Sequence, residues 1–160
     1  MLIRPAAPGD RPAIWSIIAP VIHGGETYAL DRDLSENEAL AYWLGPDKET
    51  FVAVEEGAVL GTYYMRPNQA GGGGHVCNCG YMTSAHAAGR GVARRMGLHS
   101  LDHARRRGYR AMQFNFVVAT NERAVRLWES LGFAIVGRLP QAFKHPAKGY
   151  VDALVMFRML

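Results

Sequence analysis

The sequence predicts an α/β (α+β) domain built on a mixed central sheet of about seven strands, with helices on both faces. Three observations carry this. The chain has 160 residues, 49% hydrophobic and 20% charged, which is the balance of one globular domain and excludes a disordered or fibrous chain. Apolar positions alternate along the sequence between a period near 3.6 and a period of two. The resulting order, β-α-α-β-β-β-α-β-α-β-β, needs helices packed on a sheet that includes a parallel crossover. Residues 1–160 read as a single domain, without linker or internal repeat.

Each element has its own signal. Leu2-Ile3-Arg4 reads as a short strand. Asp10 is the expected N-cap of a helix over 11–22, in which Ile14, Ile17, Ile18 and Val21 share a face and which Gly24-Gly25 ends. Ser35 and Glu38 form a capping-box pattern that opens a second helix through Trp43. Residues 50–55 and 59–65 are strands joined by the turn Glu55-Glu56-Gly57. The glycines at 71–74 lead into a strand over 75–83. With a helix over 91–107 and a strand over 111–119, this makes a parallel β-α-β unit. A helix over 121–130 and strands over 133–137 and 151–159 follow.

Composition removes several classes of function. No stretch approaches 18 consecutive apolar residues and no secretory signal is visible, so no membrane partner and a cytoplasmic location are expected. The formal charge is +4. Residues 90–110 alone hold seven arginines (Arg90, Arg94, Arg95, Arg105, Arg106, Arg107 and Arg110) against Asp102. One basic segment on a near-neutral domain points to a local anion such as a phosphate. Without interleaved aromatic residues it does not point to nucleic acid. Arg105, Arg106 and Arg107 read equally as a solvated helix face. Cys77 and Cys79 share one strand face, where disulfide geometry is poor. His75 adds a third possible ligand but no second pair follows, so buried, reduced thiols and no metal are expected.

The segment His86-Ala87-Ala88-Gly89-Arg90-Gly91-Val92-Ala93-Arg94 lies between strand and helix. Its two glycines let backbone N–H groups converge, and the helix N-terminus adds partial positive charge, so the segment is an anion cradle. A dinucleotide fingerprint would need a third glycine near Arg94 and an acidic residue near Arg110 or Gln113. A triphosphate loop would need Gly-Lys-Ser/Thr, which is absent.

This segment resembles the pyrophosphate loop Q/R-x-x-G-x-G/A of the GCN5-related N-acetyltransferases, with His86 in the first position. A second signature of that family follows as Asn121-x-x-Ala124-x-x-Leu127-Trp128-x-x-x-Gly132-Phe133. The resemblance covers the whole chain and implies that family's fold, with acetyl-CoA as co-substrate. It implies a pyrophosphate on the amides of Gly89, Arg90, Gly91, Val92, Ala93 and Arg94, and a pantetheine arm paired along Tyr81, Met82 and Thr83. The strand carrying those three would splay from its neighbour and leave backbone N–H groups for the thioester carbonyl. Asn121 would hydrogen-bond the pantetheine or the acceptor, and Trp128 would either wall the arm or pack the core. The resemblance also allows a homodimer.

Two positions depart from the family. Trp128 stands where a tyrosine acid is frequent, and Asn78 where one branch, the phosphinothricin acetyltransferases, often has glutamate. Both losses favour positioning in a ternary complex, with proton transfer through water. Glu26 remains a candidate base, with a solvated or capping charge as its alternative. The segments 75–80, 114–121 and 137–140 resemble fungal acetyltransferases that detoxify proline analogues such as azetidine-2-carboxylate. This implies that Asn78, Asn115 and Asn121 line the acceptor site, together with Tyr28 and Phe143. Neutral amides suit a carboxylate and a neutral ring nitrogen better than a polyamine. The expected activity is acetyl transfer to a small amino or imino acid, with Asn78, Asn115 and Glu26 as the catalytic set. A phosphinothricin-like enzyme, or a domain that binds acyl-CoA without turnover, are the alternatives.

Overall fold

The computed structural model describes all 160 residues. Seven strands form one sheet in the order β1-β2-β3-β4-β5-β7-β6. They are β1 (Leu2–Pro5), β2 (Glu49–Glu55), β3 (Ala58–Pro67), β4 (Val76–Thr83), β5 (Ala111–Val118), β6 (Ala134–His145) and β7 (Gly149–Met159). The helices are α1 (Arg11–Gly24), α2 (Glu36–Trp43), α3 (Val92–Arg106) and α4 (Glu122–Ser130). All neighbouring strands pair antiparallel except β4 and β5, whose connection through α3 is the expected crossover.

Each face of the sheet has its own core. On one, Ile14, Ile17, Ile18 and Ile22 of α1 and Leu40 and Trp43 of α2 pack on Val52, Tyr64 and Met82. On the other, Met96 and Leu101 of α3 and Trp128 of α4 pack on Tyr63, Met112, Phe114 and Met156. Fully burying one such side chain is worth roughly 1.5–3 kcal/mol, so these two layers hold the helices to the sheet. Cys77 and Cys79 are free thiols, both buried on the α3 side. No helix is long and apolar enough to cross a membrane.

Several sequence expectations hold in detail. Gly25 is the left-handed cap of α1 at φ +66°. Ser35 and Glu38 exchange both capping-box hydrogen bonds at the start of α2. Asp10 differs. It stands at the N-cap of α1, but its carboxylate accepts from Arg4 (2.6 and 2.9 Å) and from the Ala7 N–H (2.7 Å), so it ties the chain backwards to β1. The last hairpin also differs, because β6 runs eight residues beyond the expected Gly137. An edge strand tolerates Pro140, which has no N–H to give the ladder. Gln141, at φ +51°, absorbs a bulge there, and its N–H and Arg138 both bond Asp152.

The feature that positions the site is in the middle of the sheet. β4 and β5 pair only at Val76–Ala111 and Cys77–Met112, and beyond that the strands diverge. On its other edge, against β7, β5 shifts register between Phe114 and Val117.

Candidate active site

Strand alternation sorts the residues of β4 onto the two faces. Cys77, Cys79 and Tyr81 join the core under α3 and α4, whereas Met82 joins the core under α1 and α2. Asn78 and Gly80 share the parity of Met82. The Ser84 N–H bonds the Leu60 carbonyl of β3 (2.9 Å). Hydrogen-bonding direction alternates along the strand, so Met82 also turns its backbone groups to β3 and Tyr81 and Thr83 turn theirs into the divergence. Of the three residues expected to pair with a pantetheine arm, Met82 is therefore not placed to do so.

A cleft of about 290 Å³ opens on the α3–α4 side of the divergence. It runs from Tyr81 and Thr83 to the start of α3 and is closed by Asn121, Ala124, Leu127 and Trp128. Gly91, Val92, Ala93 and Arg94 line its far end. Gly91 is the N-cap of α3 at φ +73°, a left-handed conformation that costs a side chain dearly, and no side chain caps the helix. The N–H groups of the first turn have no intrahelical partner and point at whatever lies beyond the helix end. Gly89, at φ +77°, and Arg90 precede the cleft without lining it. The Arg90 guanidinium is turned away to Glu55, so only its backbone remains for an anion. Uncapped amides at one end, and at the other an apolar slot along a strand edge that no neighbouring strand covers, fit a pyrophosphate carrying a thioester-bearing arm.

A second cavity, of about 270 Å³, opens on the α1–α2 side. Its wall includes Asn78 of β4, Asn115 and Phe116 of β5, and Tyr28 from the loop after α1. The two cavities share Tyr81, Asn121, Ala124 and Trp128, so they meet through the gap between β4 and β5. Gly80 forms the floor. A Cβ there would stand 2.7 Å from the Tyr64 ring.

The structure brings most of the expected acceptor residues together, each with a specific role. Asn78 is buried, and its Nδ2 donates to the Gln113 carbonyl across the gap (3.0 Å). Asn115 is exposed and bonded at both ends of its amide, accepting from Gln113 Nε2 (2.9 Å) and donating to Asn68 Oδ1 (2.7 Å). Asn121 Oδ1 accepts the Ala124 N–H at the start of α4 (3.3 Å). The Tyr28 hydroxyl accepts the Tyr81 N–H (2.7 Å) and donates to the Tyr81 carbonyl (2.9 Å), taking both groups that the divergence leaves open. Burial pushes the Tyr28 pKa well above the usual phenol range. Trp128 is at once core and wall, packed on Tyr81 (4.7 Å between centroids) and Phe114 (4.8 Å).

Two expected residues do not join the wall. Glu26 is exposed and lies outside the cavity although Thr27 and Tyr28 line it, because the loop buries only the side chains that follow it. Phe143 is buried behind Phe116, edge to face at 6.1 Å. Sequence reasoning missed Arg66, which lines the cavity opposite Asn78 in the β3–β4 register. It read β3 as ending at Met65. One more alternation would have put Arg66 on the face of Tyr64.

Comparison with known proteins agrees with this geometry. The profile of the acetyltransferase (GNAT) family matches residues 16–133. The N-acetyltransferase aca1 of Schizosaccharomyces pombe is 31% identical over 151 residues, covering 84% of this chain and 72% of that protein. A GCN5-related N-acetyltransferase from Kribbella flavida is 45% identical, with a TM-score of 0.95 over 99% of this chain and 97% of its own. A phosphinothricin acetyltransferase from Sinorhizobium meliloti, solved with acetyl-CoA, shares the fold at 21% identity, with a TM-score of 0.87 over 99% of this chain and 88% of its own. The divergent strands, the uncapped helix end and these likenesses lead to one conclusion: the chain belongs to the acetyltransferase (GNAT) family and is an acyl-CoA-dependent acyltransferase.

Proposed function

We propose that this chain acetylates the amine of a small amino or imino acid, with acetyl-CoA and the acceptor bound together. The observation that carries this reading is the pair of cavities meeting at Tyr81, Asn121, Ala124 and Trp128. Acetyl-CoA supplies an activated thioester. The chain holds that thioester against an amine, and fixing two reactants in contact is worth up to roughly 7–11 kcal/mol of barrier. The first-turn amides of α3 take the pyrophosphate, while Tyr81 and Thr83 offer their backbone edges along the slot.

No Asp or Glu lines the acceptor cavity. The amine therefore loses its proton through water, and a cationic polyamine finds no counter-charge. Asn78 spends its Nδ2 on Gln113, which leaves its Oδ1 to accept an N–H of the acceptor and orient the lone pair. Burial raises the Tyr28 pKa, so the hydroxyl keeps its proton, which it donates to the Tyr81 carbonyl. A cavity of about 270 Å³ suits a small acceptor; drug-sized ligands occupy roughly 300–1,000 Å³.

The test is incubation with acetyl-CoA and a panel of α-amino and α-imino acids, reading free thiol and the mass of the acetylated product. Release of CoA only with certain amino or imino acids is the expected result. Binding of acetyl-CoA without release under any acceptor would make the chain a sensor. Preference for an acyclic amino acid with an anionic side chain would favour the phosphinothricin-like reading.

A further inference from the structure

The sequence assigned the carboxylate of the acceptor to asparagine amides. Their hydrogen bonds argue otherwise. Asn78 Nδ2 donates to the Gln113 carbonyl and Asn115 Nδ2 to Asn68, so each amide already spends one of its two N–H groups within the protein. One donor in the wall has no partner. Arg66 Nε is buried without a hydrogen-bond partner, and it is the one buried side-chain N or O atom of the whole chain in that state. Leaving such a group unpaired costs several times what a made hydrogen bond contributes.

Arg66 is also the only charged side chain lining the acceptor cavity. Its one acidic neighbour is Asp47, at 3.5 Å from the terminal Nη1. Asp47 belongs more closely to Lys48, whose Nζ stands 2.8 and 3.0 Å from its two oxygens. That pairing holds the Asp47 carboxyl below its usual range and keeps Lys48 over the Tyr42 ring. Nε thus has no protein partner, although it is closed to solvent here. It belongs to the edge that forms bidentate pairs with carboxylates, which a ligand reaches once the partly exposed side chain turns toward the cavity. Arg66 lies directly opposite Asn78 in the register, on the same face of the sheet. Both line the same cavity, so one small acceptor can place its carboxylate at Arg66 and its amine at Asn78 Oδ1.

We infer that Arg66 is the specificity-determining residue of the acceptor cavity and binds the α-carboxylate of the acceptor through its guanidinium edge. The inference rests on the proposed function for its acceptor class but predicts a separate readout, the preference for an acid over its own carboxamide. Proline against prolinamide and alanine against alaninamide are the probes, measured as kcat/KM with saturating acetyl-CoA. Wild type is expected to prefer the acid by about thirtyfold, the scale of a charge-assisted hydrogen-bonded pair. In Arg66→Gln that preference falls to near one, through the KM of the acid. Arg66→Lys keeps part of it, having charge without the fork. A merely structural role would depress both members of each pair alike and leave the ratio intact.

The same ratio is read a second way, by calorimetric titration of proline and prolinamide into CoA-loaded protein, with melting temperatures of both variants as a fold control. Equal handling of acid and carboxamide by wild type overturns the inference, as does an unchanged ratio in Arg66→Gln. Turnover of amines regardless of their carboxylate would sink the Arg66 assignment alone. Binding of the acid that is lost in Arg66→Gln, without turnover, would sink the transferase reading and uphold Arg66. Failure of wild type to bind or acetylate any of the four probes overturns both.

Discussion

The two cavities flanking β4 are built from different materials. The one under α3 owes its anion end and its strand edge to backbone: first-turn amides, a glycine in a left-handed conformation and the strand edge of Tyr81 and Thr83 that no other strand covers. The one under α1 and α2 is made of residues from five separate elements and the loop after α1, held by bonds such as Asn78 to Gln113 and Tyr28 to Tyr81. A backbone-built site serves a ligand that never changes and tolerates substitution of neighbouring side chains. A side-chain-built site can be re-tuned one residue at a time. Catalysis needs both, joined where Asn121 and Trp128 serve each.

The contrast can be broken most severely at Gly91. A Cβ there meets no atom within 4 Å, so valine would not clash. It would instead abandon φ +73° and re-aim the amides behind it. We expect Gly91→Val to weaken CoA binding by about a hundredfold or more by calorimetry, consistent with losing several charge-assisted bonds. Acceptor binding in the other cavity should be spared. Loss of both together would show that the two sites are not separable.

Asn121 should behave in the opposite way, because it borders both. Asn121→Ala removes the N-cap of α4, at a cost of about 1 kcal/mol in stability. It also removes an amide side chain that borders both cavities. We expect the KM of both substrates to rise severalfold, with a modest drop in melting temperature. A change confined to one KM would assign Asn121 to that cavity alone.

Tyr28→Phe is the smallest expected effect and has the opposite sign. In the free protein the Tyr28 hydroxyl occupies the Tyr81 N–H and carbonyl, the groups the resemblance reserves for the pantetheine arm. Removing it frees them, and CoA affinity should rise by about fivefold, the scale of one or two neutral hydrogen bonds. Weaker binding would mean that Tyr28 holds the strand edge ready instead of competing for it.

The same division explains what the sequence reveals. The cradle is local: Gly89, Gly91 and the helix after them lie within a few residues, so spacing alone identifies it. Nearly every element is likewise visible in its own periodicity. The acceptor cavity depends on register between strands distant in sequence, which periodicity does not report. The pairing of Arg66 with Asn78 follows from a hairpin alignment, and Tyr28 reaches a residue 53 positions away. Exposure of Glu26 beside two lining residues is decided by the path of one loop. Extension of β6 through Pro140 depends on its being an edge strand with Asp152 opposite, which only the assembled sheet settles.

The central claim is that the two cavities are filled at once and that the acetyl group passes directly between their contents. Initial rates with both substrates varied test it most directly. Direct transfer in a ternary complex predicts intersecting double-reciprocal lines, and an unchanged protein mass after exposure to acetyl-CoA alone. Cys79 lines the acceptor cavity, but its side chain packs in the core under α3 and α4, and burial raises the thiol pKa well above the ordinary range and leaves it a poor nucleophile. Parallel lines with an acetylated protein, the mark of a ping-pong route through that thiol, would contradict the account.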